Sequence, residues 1–251
     1  MLLAAGLEFP PVSHLLQWPD LIPTINKPIL INFVAVIIPL VLFALAIKNK
    51  ELVPTGVKNL MESSLEFIEE SVIAQTIGPD GMKYLPFLAS LFFFILFGNI
   101  FEVIPLIQFP SNARMAMPAF LALLVWVVYI AVGIQHQGPK YFLNVINPPG
   151  VPKALLPLVS LIELVSTFIV RPFSLAVRLF ANMLAGHLLL VTFAVLTATV
   201  ISGGALIVIA PLPFVVLIGL IGFEILVAFL QAFIFTILTA VYIGGSMHPE
   251  H

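Results

Sequence analysis

The chain contains no cysteine, and only 9% of its 251 residues are charged. Without cysteine it can form no disulfide, thiolate nucleophile or cysteine-ligated metal site. A soluble domain carries roughly 25% charged residues. The small charged share, the 61% hydrophobic content and the mean hydropathy of +1.17 therefore indicate a polytopic membrane protein. The phosphate-binding loop, GxSxG and HExxH motifs of soluble enzymes are also missing. A net charge of −2 without a basic cluster gives no indication of nucleic-acid binding.

Three apolar runs are long enough to cross a membrane, which takes about 20 residues: 29–47, 84–107 and 116–135. Between the first two, residues 55–77 change to a helical amphipathic pattern, with an apolar face opposite several glutamates. We interpret these glutamates as a solvated face rather than a metal or acid–base cluster, on a helix that lies at the membrane surface or packs on a partner. The N-terminal lead-in, 1–28, lacks the basic region and cleavage site of a signal peptide.

Residues 154–243 contain two unusually long apolar runs, 154–200 and 205–243, which we expect to form a helical hairpin. No polar turn divides either run, so each is interpreted as one long helix, steeply tilted or kinked at Pro172. The predicted fold class is an all-α polytopic membrane protein with about five crossings and one amphipathic surface helix. The whole chain, 1–251, is predicted to be a single membrane domain.

The lysines predict the orientation of the chain. Segments 48–83 and 136–153 carry six lysines, and the other side has only Lys27 and Arg114. By the positive-inside rule the lysine-rich segments are cytoplasmic. The N-terminus is then expected outside and the C-terminus in the cytoplasm.

Two arginines interrupt the first run of the hairpin. An arginine at the bilayer centre costs roughly 2.5–3.5 kcal/mol on insertion scales. Snorkelling to an interface or pairing with an acid is a simple explanation for Arg171, which lies beside Pro172. It suits Arg178 less well, because residues 179–200 contain no Asp, Glu, Lys or Arg. Arg178 is therefore the first candidate for a functional residue.

Other polar residues of the hairpin share faces with one another. On an ideal helical wheel, Asn182 lies about 40° from Arg178, Glu163 at about −60° and His187 on the opposite side. The last run carries three polar residues separated by nearly whole turns: Glu224, Gln231 and Tyr242. Ordinary interhelical hydrogen bonding would explain such a stripe, but its combination with Arg178 favours a hydrated ion path.

Two further pairs fit a proton path. Asn99 and Glu102 are three residues apart, so both can face one cavity. His187 and Glu224 could in principle bind a metal, but two ligands without a third make a weak metal site. Histidine titrates near neutrality and burial raises a carboxyl toward it, so a proton relay suits these residues better.

The most specific motifs are SLAVRLFANMLAGH at 174–187 and LQAFIFTILTAVYI at 230–243. PTGVKNLMESSLEFI at 54–68 and the Asn-x-x-Glu-x-x-Pro spacing at 99–105 add weaker support. These residues resemble subunit a of the F-type ATP synthase, the stator channel of the membrane sector. The resemblance covers the chain from about residue 30 onward.

The resemblance implies proton translocation through two half-channels that pass protons to and from a carboxylate of the c-ring, coupled to ATP synthesis. Arg178 would stand between the half-channels and face the c-ring, with Gln231 beside it. The outer half-channel would be lined by Asn182, His187, Glu224, Tyr242 and Glu102, and Asn99 shares a face with Glu102. Glu163 would also belong to the channel system, on a side that the resemblance leaves open.

The same resemblance implies the chain's surroundings. The expected partners are the c-ring, the peripheral stalk subunit b and membrane lipid, in the plasma membrane of a bacterium. No cofactor, metal, nucleic acid or bound nucleotide is expected, and the chain would not be a catalyst on its own.

Two departures from the family pattern stand out. Many bacterial members have a carboxylate where His187 stands and a histidine where Glu224 stands, so the pair is exchanged here. The spacing from Glu163 to Pro172 is one residue longer than usual, which puts the role of Glu163 in doubt.

Two rival functions are a secondary transporter, whose inverted repeats are not visible in the sequence, and a non-conducting membrane scaffold.

Overall fold

The computed structural model describes residues 27–48, 54–104, 111–146, 152, 155–202 and 208–247. Helices dominate these residues, and no strand occurs within them. The prediction of an all-α fold is confirmed. Nearly all of the predicted lead-in 1–28 lies outside the described residues, as do most of the connector after residue 146 and the last four residues of the chain.

The described ranges contain nine α-helices in chain order. They are α1 (Lys27–Lys48), α2 (Gly56–Ile68), α3 (Ala74–Thr76), α4 (Leu85–Ile100), α5 (Ala116–Gln137), α6 (Lys140–Ile146), α7 (Leu156–Val165), α8 (Arg171–Ser202) and α9 (Pro211–Met247). Wider or tighter helical turns join or precede some of them. These are π-turns at Glu69–Ile73 and Ser166–Val170 and 3₁₀ turns at Pro79–Tyr84 and Ser111–Ala113.

Five helical stretches are long and apolar enough to cross a membrane, as predicted. They are Pro28–Lys48, Pro79–Ile100, Ala116–Gln137, Leu156–Ile201 and Pro211–Met247. The last two have 46 and 37 residues. At about 1.5 Å per residue both exceed the thickness of the hydrocarbon layer, so they must be tilted or project beyond it.

The amphipathic segment also forms as predicted. In α2 and the following π-turn, Met61, Ile68 and Val72 are buried, whereas Glu62 and Glu66 are exposed. Gly78, with a φ of 79°, then turns the chain toward α4. The apolar face of this segment packs on α1, α4 and α9, which leaves its carboxylates free of the core.

The predicted span 84–107 is too long at its far end. The helix α4 ends at Ile100, and residues 101–104 form a turn in which the Glu102 N–H donates to the Asn99 carbonyl over 3.1 Å. Residues 105–107 lie outside the described part of the chain. Glu102 therefore projects from a turn after the helix rather than from the helix itself.

The long helix of residues 156–202, predicted as one helix that is tilted or kinked at Pro172, contains an irregular turn before that proline. This irregularity is the π-turn Ser166–Val170, which ends two residues before Pro172. The N–H of Arg171 donates to the Ser166 carbonyl, five residues earlier rather than four. One extra residue is therefore accommodated within a single turn.

The helix α9 is the centre of the packed bundle. It packs against α4, α5 and α8, and α5 also packs against α8. Their contact surfaces bury Leu179, Met183, Ala232, Phe235 and Ile243. These apolar contacts hold the polar side chains of α8 and α9 at fixed distances from each other.

Candidate functional site

Glu102 and His187 come together at one end of the bundle. The turn after α4 directs the Glu102 carboxyl at α8, where its Oε1 lies 3.7 Å from His187 Nδ1. The residues are 2% and 5% exposed. Burial raises the pKa of Glu102 to about 9, and the nearby Glu224 carboxyl adds a smaller effect in the same direction. At neutral pH this carboxyl therefore retains a proton beside an imidazole.

Glu224 reaches the same place from α9. Its carboxylate lies against the backbone of Gly186 on α8, so close that a Cβ there would be 2.5–2.7 Å from its atoms. Glu224 is 3% exposed, and its Oε2 has no hydrogen-bond partner among the described residues. The glycine beside His187 thus makes room for an acid from the facing helix.

Two asparagines complete this end of the bundle. Asn112 Nδ2 donates to Asn99 Oδ1 over 2.7 Å, and both residues are buried. The remaining buried polar atoms, Asn99 Nδ2 and Asn112 Oδ1, have no partner among the described residues. We refer to this set as the Glu102 group: Asn99, Glu102, Asn112, His187 and Glu224.

The second set, the Arg178 group, consists of Arg178, Asn182 and Gln231. Asn182 Nδ2 donates to Gln231 Oε1 over 2.7 Å, which joins α8 to α9. Gln231 is 1% exposed, and its Nε2 has no partner among the described residues. Arg178 is half-buried one helical turn from Asn182, and no carboxylate in the described part of the chain forms an ion pair with it.

The third set lies toward the C-terminal end of α9. Arg171 Nη2 is 3.8 Å from Glu163 Oε2, and the Arg171 guanidinium lies over the Tyr242 ring at 5.3 Å. The rings of Tyr242 and Tyr129 are 5.7 Å apart. We refer to Glu163, Arg171, Tyr129 and Tyr242 as the Glu163 group. Arg171, which the sequence left as an edge charge, is part of a polar cluster here.

The three groups are spread along the hairpin in a fixed order. On α9, Glu224 precedes Gln231 by seven residues and Tyr242 follows it by eleven. These offsets correspond to about 10 Å and about 16 Å along the helix axis. The Arg178 group thus separates two polar groups at opposite ends of the bundle. Among the described residues no cluster of three His, Asp or Glu side chains is arranged to hold a metal ion.

This geometry changes two expectations from the sequence. Tyr242 was grouped with Glu102 and Glu224, but it packs with Arg171 and Tyr129 in the other end group. The ideal wheel separated Glu163 from Arg171 by about 80°, whereas the π-turn between them brings the two side chains into contact. The structure therefore places Tyr242 apart from Glu102 and Glu224 and places Glu163 beside Arg171, and the roles of these residues in a proton path stay predictions.

Comparison with known proteins identifies the family. The family model described as ATP synthase A chain matches residues 29–244. A protein named ATP synthase subunit a from Frankia alni is 42% identical over 237 residues, covering 90% of this chain and 79% of that protein. One of the same name from Pseudarthrobacter chlorophenolicus is 36% identical over 261 residues, covering 98% and 96%. The chain belongs to the ATP synthase A chain family.

Membership of the ATP synthase A chain family fits the rest of the molecule. The matched range includes every residue of the Glu102, Arg178 and Glu163 groups. With its five apolar helices and these relatives, the chain is a multi-pass bacterial membrane protein.

Several site residues were missed by the sequence reasoning. Asn112 lies in a short 3₁₀ turn, and nothing in its sequence spacing links it to Asn99. Gly186 follows another small residue, Ala185, and such pairs are common in membrane helices. Its role becomes visible only from the Glu224 carboxylate that packs against it. Tyr129 could have been identified from the sequence, because a tyrosine hydroxyl inside an apolar run needs a hydrogen-bond partner when it is buried.

Proposed function

We propose that this chain translocates protons in the membrane sector of the F-type ATP synthase, as the stator partner of a rotating c-ring. Family membership supports this function, and so does the order of the three polar groups. The observation that carries the residue assignment is that Arg178, which has no ion-pair partner among the described residues, lies between two polar groups at opposite ends of the bundle. The chain is not a catalyst by itself, since the chemistry of ATP belongs to other subunits.

Arg178 is the charge that separates the two proton paths. A rotor carboxylate that passes Arg178 remains ionised, because an opposite charge in a low-dielectric setting favours the charged form. The same fixed charge repels a proton that would otherwise pass directly from one path to the other. Arginine suits this task better than lysine because it does not lose its proton at accessible pH. Gln231 on α9 accepts a hydrogen bond from Asn182 and adds no charge beside Arg178.

The Glu102 group is the path to one aqueous phase. Glu102 retains a proton at neutral pH, and its 3.7 Å separation from His187 requires only a small rearrangement to form the hydrogen bond through which the proton transfers. His187 and Glu224 pass the proton toward the rotor carboxylate beside Arg178. A path built from an imidazole and a protonated carboxyl favours protons over sodium ions, because a neutral imidazole relays a proton and an imidazolium repels a cation.

The Glu163 group is the path to the opposite phase. Glu163 is partly exposed, with its side chain 43% accessible, and it is paired with Arg171. A carboxylate in this position can accept a proton from the rotor and release it to water. By the distribution of lysines this end is cytoplasmic, so the N-terminus is outside and the C-terminus inside. The proposed partners are the c-ring, the peripheral stalk subunit b and lipid.

The test is ATP-driven proton pumping by assembled complexes in inverted membrane vesicles. The Arg178→Ala complex should acidify the vesicles no more than a sample without ATP does, because the rotor carboxylate is no longer held ionised between the paths. Acidification is followed by quenching of a pH-sensitive dye, and ATP hydrolysis is measured in the same vesicles.

Lys140→Ala is the matched control, since it removes a positive charge from an exposed position on α6. Its pumping should equal that of the wild type. Normal coupled pumping by Arg178→Ala complexes would rule out the proposed role and leave the scaffold alternative. Solute uptake by the isolated chain, without other subunits, would instead favour a secondary transporter.

A further inference from the structure

The π-turn Ser166–Val170 leaves one backbone carbonyl without a helical donor. In an α-helix the Thr167 carbonyl would accept the Arg171 N–H, but here that N–H donates to the Ser166 carbonyl. In the wider register the donor for Thr167 would be residue 172, which is a proline and has no N–H. Neither register supplies a donor, and an unpaired carbonyl inside a membrane is strongly unfavourable.

A tyrosine from another helix supplies the missing hydrogen bond. The Tyr129 hydroxyl on α5 donates to the Thr167 carbonyl over 2.5 Å. Tyr129 is 1% exposed and Thr167 is 2% exposed, so water does not compete for this carbonyl. The hydroxyl thus satisfies the Thr167 carbonyl, for which neither the α-register nor the π-register provides a donor.

The π-turn decides which way Glu163 points. Each residue of an ideal helix turns by about 100°, and the π-turn absorbs one residue. Glu163 therefore moves from about −60° to about +40° relative to Arg178, next to Arg171 at about +20°. All three side chains then lie on one stripe of the long helix. The 3.8 Å contact between Glu163 and Arg171 agrees with this placement.

We propose that Tyr129 is a positioning residue for Glu163. Its hydroxyl completes the π-turn, which compensates for the extra residue between Glu163 and Pro172 and keeps the Glu163 carboxylate in line with Arg171 and Arg178. The tyrosine also supports the Tyr242 ring, on which the Arg171 guanidinium lies. This inference rests on the proposed function, because it assigns Glu163 to one of the two proton paths.

The experiment replaces Tyr129 by phenylalanine, which removes the donor and keeps the ring against Tyr242. The rate of ATP-driven pumping per assembled complex should fall about tenfold. Tyr141→Phe is the matched control. Tyr141 is another buried tyrosine at the same end, and its hydroxyl interacts with Ser246 rather than with the π-turn. Its pumping should equal that of the wild type.

A second variant restores the hydrogen bond by another route. Pro172→Ala provides a backbone N–H at the position that the π-register requires for the Thr167 carbonyl. The double variant Tyr129→Phe, Pro172→Ala should therefore recover most of the lost pumping. A tyrosine that only fills space would not be rescued by a backbone donor, so failure of the rescue overturns the proposal even where Tyr129→Phe lowers the amount of complex.

The rescue distinguishes a positioning role from a purely structural one. Wild-type pumping by Tyr129→Phe, or a double variant that does not recover, sinks this inference alone, whereas normal pumping by Arg178→Ala sinks the proposed function.

Discussion

Glu102 is the residue whose protonation the structure perturbs most clearly outside the membrane-spanning helices. Its side chain is almost fully buried between His187 on α8 and Glu224 on α9, and burial raises its pKa from 4.5 to about 9. Between these two values the folded chain retains the proton and the unfolded chain has lost it. The free energy of unfolding must therefore decrease as the pH rises through this window, and not increase as it does for an ion-paired carboxylate.

This sign gives a prediction for Glu102→Gln. Glutamine cannot ionise, so the variant should be more stable than the wild type, and the difference should grow with pH by at most about 1.4 kcal/mol per unit. The measurement is the melting temperature of the assembled complex in detergent from about pH 5 to about pH 8. His187 and Glu224 are present in both proteins, so the difference isolates Glu102. Parallel curves would mean that Glu102 is ionised in the folded chain.

At the level of elements, the approach of α8 and α9 depends on a glycine. A methyl group on Gly186 would occupy the space of the Glu224 carboxylate, within 2.5–2.7 Å of its atoms. Those atoms are the far end of a flexible side chain, so Gly186→Ala should move the carboxylate rather than separate the helices. We expect near-normal assembly and a loss of pumping of about ten- to a hundredfold, because small displacements of a reacting group are costly.

The matched control for this prediction is Gly219→Ala. Gly219 lies on α9 with Glu224, and a Cβ there would meet no atom within 4 Å. Both substitutions improve helix propensity by a similar amount, so they differ in what the added methyl group meets. Equal pumping by the two variants would show that the position of the Glu224 carboxylate does not matter.

The elements themselves were largely predictable, because crossing a membrane requires about 20 apolar residues and the runs are written plainly in the sequence. The π-turn was not, because an i→i+5 register has no compositional signature and depends on a donor from another helix. Its one trace was the additional residue between Glu163 and Pro172. In the same way, the stripe of Glu224 and Gln231 followed from helical period, whereas the pairing of Glu224 with Gly186 required the packed hairpin.

For the whole molecule, the structure shows which helix ends lie together. Lys83 Nζ is 3.0 Å from His136 Nε2, and Gln137 Nε2 donates to the Ser246 carbonyl over 2.8 Å. The start of the second crossing, the end of the third and the end of α9 are therefore neighbours. This end carries the lysines, and the Glu102 group lies at the other end. Determining which side of the membrane the lysine-rich end faces therefore orients both proposed proton paths.

The orientation of the chain can be measured directly by thiol labelling. Because the chain contains no cysteine, a single introduced cysteine is its only thiol. Asp80→Cys and Gln135→Cys place exposed thiols at the lysine-rich end, and Val208→Cys places one, 83% exposed, before α9. A membrane-impermeant maleimide should label Val208→Cys in intact cells and the other two in inverted vesicles. The unsubstituted chain controls for background labelling. Labelling of Asp80→Cys from outside would reverse the topology, and the Glu102 group would then open to the cytoplasm.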